Sequence, residues 1–171
     1  MKKLIKFSLI LLLLAIIAFL GYKITTKAQY KKDVENRIQN IPIFSFPSLQ
    51  GTAFTNDHLS VGKNILFVYF NSECEHCQYE ASEISKHLDQ FHHTQIIFIS
   101  YEPLESIRLF AEKYGLSNRD GVVFLQDKKG VFSEQFDANS IPYLLIYNKE
   151  HQLVKKYKGE VKIQAVLNHL N

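Results

Sequence analysis

Two cysteines, Cys74 and Cys77, stand in Asn71-Ser72-Glu73-Cys74-Glu75-His76-Cys77, directly after the apolar run Ile65-Leu66-Phe67-Val68-Tyr69-Phe70, and they are all the thiols the chain has. The run reads as a buried strand and the motif as the turn that leads into a helix. At such a junction the helix dipole and free backbone N–H groups stabilise a thiolate on the first cysteine, and a thiol one turn later can close a disulfide with it. The spacing points to redox chemistry. A structural staple is a poor account, because the stabilisation a disulfide provides grows with the loop it closes and this loop is minimal. Zinc needs two further ligands at matching spacing. The seven histidines offer only scattered candidates such as His87, His92 and His93, with no second Cys-x-x-Cys, so no metal and no cofactor is expected.

The rest of the chain divides by charge. Between Phe7 and Tyr22 there is no charged residue, and Met1-Lys2-Lys3-Leu4-Ile5-Lys6 gives this run a basic start. With Leu4 and Ile5 added once Lys6 snorkels, the run approaches the roughly 20 residues that cross a bilayer. A signal peptide has the same outline, but Ala15 and Ala18 are spaced wrongly for a cleavage site, and Thr26 and Ala28 lie behind Lys23 and Lys27. Residues 1–28 are therefore read as a retained signal-anchor, with the N-terminus held in the cytoplasm by its lysines and the remainder sent across the membrane. This segment holds five of the 20 basic residues and no acid, which leaves 15 basic against 17 acidic beyond it. That balance gives no footprint for nucleic acid. Lys155-Lys156-Tyr157-Lys158 reads instead as an exposed sheet edge blunted by charge.

Residues 29–40 are polar with both signs of charge and read as a stalk, and residues 41–171 as one domain without internal repeats. Ile65 to Phe70, Gln95 to Ser100, Val122 to Leu125 and Tyr143 to Tyr147 read as buried strands, and Leu153 to Tyr157 as the partner of a closing hairpin. Helices are expected from the motif to about Phe91, over Pro103 to Tyr114 with Gly115 as its stop, and over Val161 to Leu170. Such alternation indicates an α/β domain with a mixed sheet flanked by helices. In the motif helix, Cys77, Ala81, Ile84, Leu88 and Phe91 draw one apolar stripe. Cys77 heads it and is expected buried as the resolving thiol, while Cys74, one turn earlier, is the exposed attacking thiolate. Protonated His76 favours that thiolate and Glu75 and Glu73 oppose it, with no net sign readable. Glu80, three residues past Cys77, is placed to exchange protons with it.

Phe67-Val68-Tyr69-Phe70, Cys74-Glu75-His76-Cys77, Glu80 and the later Ser140-Ile141-Pro142-Tyr143 together resemble the membrane-anchored thioredoxin-like thiol-disulfide oxidoreductases of the TlpA/ResA group. The resemblance runs from Phe46 to the C-terminus. It implies a thioredoxin fold in which Pro142 is cis and faces the disulfide, and the Ile141 backbone pairs with an extended substrate. It implies also that Glu80 influences the thiols. The chain departs from the group's pattern at Glu73, where an aromatic residue is common, and at His76 and Ser82, where proline is.

The expected activity is thiol-disulfide exchange through Cys74 and Cys77 on the extracytoplasmic, or periplasmic, side of a single-pass membrane protein, as a reductase rather than an oxidase. The expected partners are exported cysteine-containing proteins, among which the resemblance suggests apocytochromes c, and a membrane or extracytoplasmic thiol redox partner. Two other classes stand beside it. A thiol peroxidase of the peroxiredoxin group carries Thr and Pro where this chain has Asn71 and Phe67. A thioredoxin-fold copper module needs a third soft or imidazole ligand, and only His76 is local.

Overall fold

The computed structural model describes residues 2–170. Met1 and Asn171, the outer ends of the expected anchor and domain, lie outside the described residues, as do the side chains of residues 2–4 and with them much of the basic start. The chain forms two units, residues 1–36 and residues 37–171.

The first unit is almost all of helix α1 (Lys2–Ile38). From Ile5 onward it is long and apolar enough to cross a membrane, and its apolar side chains from Phe7 to Ile24 are exposed. Through the segment expected as a stalk, residues 29–40, the helix continues as far as Ile38. Its last two residues belong to the second unit. There Ile38 is fully buried and its carbonyl accepts from the Tyr147 hydroxyl at 3.1 Å, while the Arg37 guanidinium donates to the carbonyls of Gln135 and Glu134.

After the end of α1 the second unit forms a two-stranded hairpin, β1 (Ser45–Pro47) and β2 (Ala53–Thr55), turned at Gly51 with φ +79°. The main sheet contains β3 (Asn64–Tyr69), β4 (Thr94–Ser100), β5 (Val122–Gln126), β6 (Tyr143–Tyr147) and β7 (Leu153–Lys158). Its order is β5-β4-β3-β6-β7; β3, β4 and β5 run parallel, and β6 and β7 are antiparallel additions. The lysine-rich β7 is an edge, as its composition suggested.

Every residue of β3 is buried, so its period of two separates two cores rather than core from solvent. Leu66, Val68 and Phe70 face α2 (Glu75–Lys86), α3 (Leu104–Lys113) and α5 (Ile163–Leu167), where they join Ala81, Ile84, Ile107, Phe110 and Val166. Phe67 on the other face packs against Phe132 and Phe136 of α4 (Val131–Phe136) and against Phe44 ahead of the hairpin, with ring centroids 5.7 to 5.8 Å apart. Full burial of each such side chain contributes roughly 1.5–3 kcal/mol. The sheet is thus a rigid platform whose ends, not faces, remain open to chemistry.

The motif helix stops at Lys86, not Phe91, because His87 leaves helical geometry at φ −113°, ψ 20° and a 3-10 turn carries Leu88 to Phe91. The expected stripe survives that change, with Phe91 still buried. Helix α3 ends where Gly115 adopts φ +64°, a conformation costly to any side chain. The last helix is shorter than Val161 to Leu170, continuing past Leu167 only as turns.

Candidate functional site

The register of the sheet brings three distant segments to one end. Tyr69 of β3 pairs with Tyr143 of β6, and Tyr143 pairs with Lys158 of β7. The chain leaving β3 into the motif, the Ile141-Pro142 peptide ahead of β6 and the Gly159-Glu160-Val161 segment after β7 are therefore neighbours. Ile141-Pro142 is cis, and the Gly159 N–H donates to the Pro142 carbonyl at 2.8 Å. Pro142 is buried and Ile141 half-buried against the core that holds Cys77.

Cys74 is the cap residue of α2, with extended backbone angles of φ −78° and ψ 116°, and its carbonyl accepts the Gln78 N–H at 2.9 Å. It is half-buried, whereas Cys77 is 2% exposed, and both are free thiols. The side chains of Cys77 and Cys74 share a hydrogen bond. Burial pushes Cys77 far above an ordinary thiol, that hydrogen bond adds to the rise, and a contact from the Asn71 backbone opposes it.

Glu80 lies one turn below Cys77 and is fully buried. One carboxyl oxygen, Oε2, accepts the Val161 N–H at 3.2 Å, while Oε1 has no hydrogen-bond partner. Burial pushes Glu80 up to about 7; the Val161 N–H opposes this, and the negative charges of Glu160 and Glu83 reinforce it. A buried carboxyl without a cation relieves its desolvation by holding a proton. His76 is exposed on the outer face, and its Nδ1 lies 2.7 Å from Glu160 Oε2. Glu75 is exposed in the first turn of α2.

The loop ahead of Cys74 is fastened by the segment after β4. The Glu102 carboxylate accepts the Ser72 N–H at 2.7 Å, the Ser72 hydroxyl at 2.6 Å and the Ser100 hydroxyl at 2.9 Å. The Tyr101 hydroxyl accepts from the Asn71 amide at 3.0 Å. Sequence reasoning identified neither Glu102 nor Glu160. Both lie in loops, outside any hydrophobic period, and reach the motif from 30 and 84 residues away respectively. Cys74, Cys77, Glu80, His76, Ile141 and Pro142 are brought to one end of the sheet. Glu75 sits on the motif turn but points to solvent.

No group of three or more His, Cys, Asp or Glu side chains able to hold a metal occurs among the described residues. A cis-proline beside a Cys-x-x-Cys helix at the end of a β5-β4-β3-β6-β7 sheet defines the thioredoxin fold with a dithiol site. Residues 38–162 match the AhpC/TSA family, and the chain belongs to that family. Solved structures agree on the fold. A secreted disulfide oxidoreductase of Mycobacterium tuberculosis homologous to E. coli DsbE is 19% identical with a TM-score of 0.64, over 80% of this chain and 97% of that one. StoA from Bacillus subtilis is 13% identical at 0.60, over 75% and 96%. The peroxidoxin BcpB of Mycobacterium tuberculosis is 16% identical at 0.66, over 77% and 93%. No curated protein matches the chain.

Proposed function

We propose that this protein is a membrane-anchored thiol-disulfide oxidoreductase whose reduced Cys74–Cys77 pair reduces disulfides of exported proteins, apocytochromes c among them. The observation that carries this reading is the unequal pair itself: Cys74 half-exposed at the start of a helix, Cys77 buried one turn further on. Its place in a family of thiol enzymes and its likeness to a secreted disulfide oxidoreductase support the reading.

The Cys74 thiolate attacks one sulfur of a substrate disulfide. The substrate S–S bond breaks, a Cys74–S bond forms, and the departing sulfur leaves as a thiolate. Above pH 7, where Glu80 is ionised, Cys77 then gives its proton to the Glu80 carboxylate and attacks the Cys74 sulfur, which forms the Cys74–Cys77 disulfide and releases the second substrate thiolate. Two electrons have passed to the substrate, and a membrane or extracytoplasmic thiol reductant restores the dithiol. Ile141 pairs its backbone with the extended substrate beside Pro142, and Glu75 and His76 modulate the field at Cys74. Residues 1–28 serve as a membrane anchor, crossing the bilayer through the apolar part of α1, and deliver the domain to the extracytoplasmic side. Asn71 and Phe67 occupy the places of the peroxiredoxin Thr and Pro, so peroxide is not the proposed oxidant.

A Cys77→Ser chain incubated with a disulfide-bonded exported protein should accumulate a complex through Cys74, seen on non-reducing gels and released by dithiothreitol. Trapping by Cys74→Ser instead reverses the two roles. Rapid peroxide consumption by the wild-type dithiol, with no disulfide exchange, replaces the reading by a peroxidase.

A further inference from the structure

His76 is the one side chain of the motif able to lend positive charge to Cys74, and Glu160 holds it. The contact, 2.7 Å from Nδ1 to Oε2, joins side chains that are 69% and 40% exposed. Such surface pairs usually matter little, because two flexible side chains must be held in one geometry. Here the backbone on either side of Glu160 is already fixed. The Gly159 N–H is bonded to the Pro142 carbonyl at 2.8 Å and the Val161 N–H to Glu80 at 3.2 Å, so the carboxylate is delivered to His76 by a segment tied down at both ends.

An imidazolium near a thiolate stabilises it, and a dithiol whose reduced form contains a stabilised thiolate is the stronger oxidant. Paired with a carboxylate, the same imidazolium presents almost no net charge to its surroundings. Its influence on Cys74 is cancelled at the source. We infer that Glu160 sets the redox poise of the site by sequestering His76, which keeps the Cys74–Cys77 dithiol a reductant despite the histidine inside its motif. Glu160 is a positioning residue that acts through His76. The inference rests on the reading of the pair as an exchange dithiol and deepens it, since it names what decides the direction of electron flow.

The test is the equilibrium in which the dithiol and glutathione disulfide give the Cys74–Cys77 disulfide and two molecules of glutathione. It is measured at pH 6 on the full chain in detergent, by trapping the oxidised fraction across a series of glutathione ratios. Glu160→Gln should lower the equilibrium constant about threefold, equivalent to a potential about 14 mV more oxidising at 29.6 mV per tenfold. Glu160 also raises Glu80 by its charge, and that influence does not pass through His76. The same substitution is therefore made in a His76→Gln background, where the threefold loss should vanish or change sign. A difference between backgrounds of threefold or more supports the inference, and a smaller one overturns it, including a Glu160→Gln effect equal in both. A wild-type dithiol that never equilibrates with glutathione overturns the exchange function itself, an outcome distinct from an exchanging site with no coupling between Glu160 and His76.

Discussion

Glu80 shows how burial raises the proton affinity of a common side chain. With its folded value raised from 4.5 to about 7, chiefly by desolvation, the native state binds a proton between those limits that the unfolded chain has already lost. Stability attached to this group is complete below pH 4.5 and is lost as pH rises through 7. A shift of that size corresponds to about 3 kcal/mol. Urea unfolding at pH 5 and pH 8 should show Glu80→Gln sparing the protein a loss of about this size that the parent suffers. The same variant should resolve mixed disulfides about 100-fold more slowly above pH 7, because the proposed acceptor of the Cys77 proton is gone. Equal pH dependence in parent and variant removes Glu80 from both roles.

At the scale of elements, the short helix α4 depends on one residue outside it. The buried Asp127 carboxylate accepts the N–H groups of Val131 at 2.8 Å and Phe132 at 3.0 Å, and also the Tyr69 hydroxyl. It thereby satisfies donors a helix start leaves free, and it ties α4 to the end of β3 from which the motif departs. Asp127→Ala should cost about 3 kcal/mol in chemical denaturation, the sum of a lost helix cap and a stranded buried hydroxyl. A cost under 1 kcal/mol excludes Asp127 as the support of α4. In sequence α4 is hard to see, since six residues with Phe132 and Phe136 four apart make too short a period to tell helix from loop. The motif helix was plain from its stripe of Cys77, Ala81 and Ile84, and only its end was misjudged, where His87 breaks geometry without a proline or glycine to announce it.

The molecule joins an apolar helix of membrane-spanning length to a domain that carries its two thiols at one end of its sheet. Protease added to intact spheroplasts should digest the domain while leaving a membrane-embedded fragment, and protection of the domain contradicts the proposed sidedness. The strands, the motif and the burial of Cys77 are legible in the chain, because burial imposes a local period and a helix start imposes a local field; Cys74 is half-buried rather than exposed. Only the folded state could decide that Ile38 belongs to the domain, that Glu102 clasps Ser72 and that Glu160 takes hold of His76. These contacts join segments far apart in sequence, and their partners meet only after sheet register has aligned the ends of β3, β4, β6 and β7.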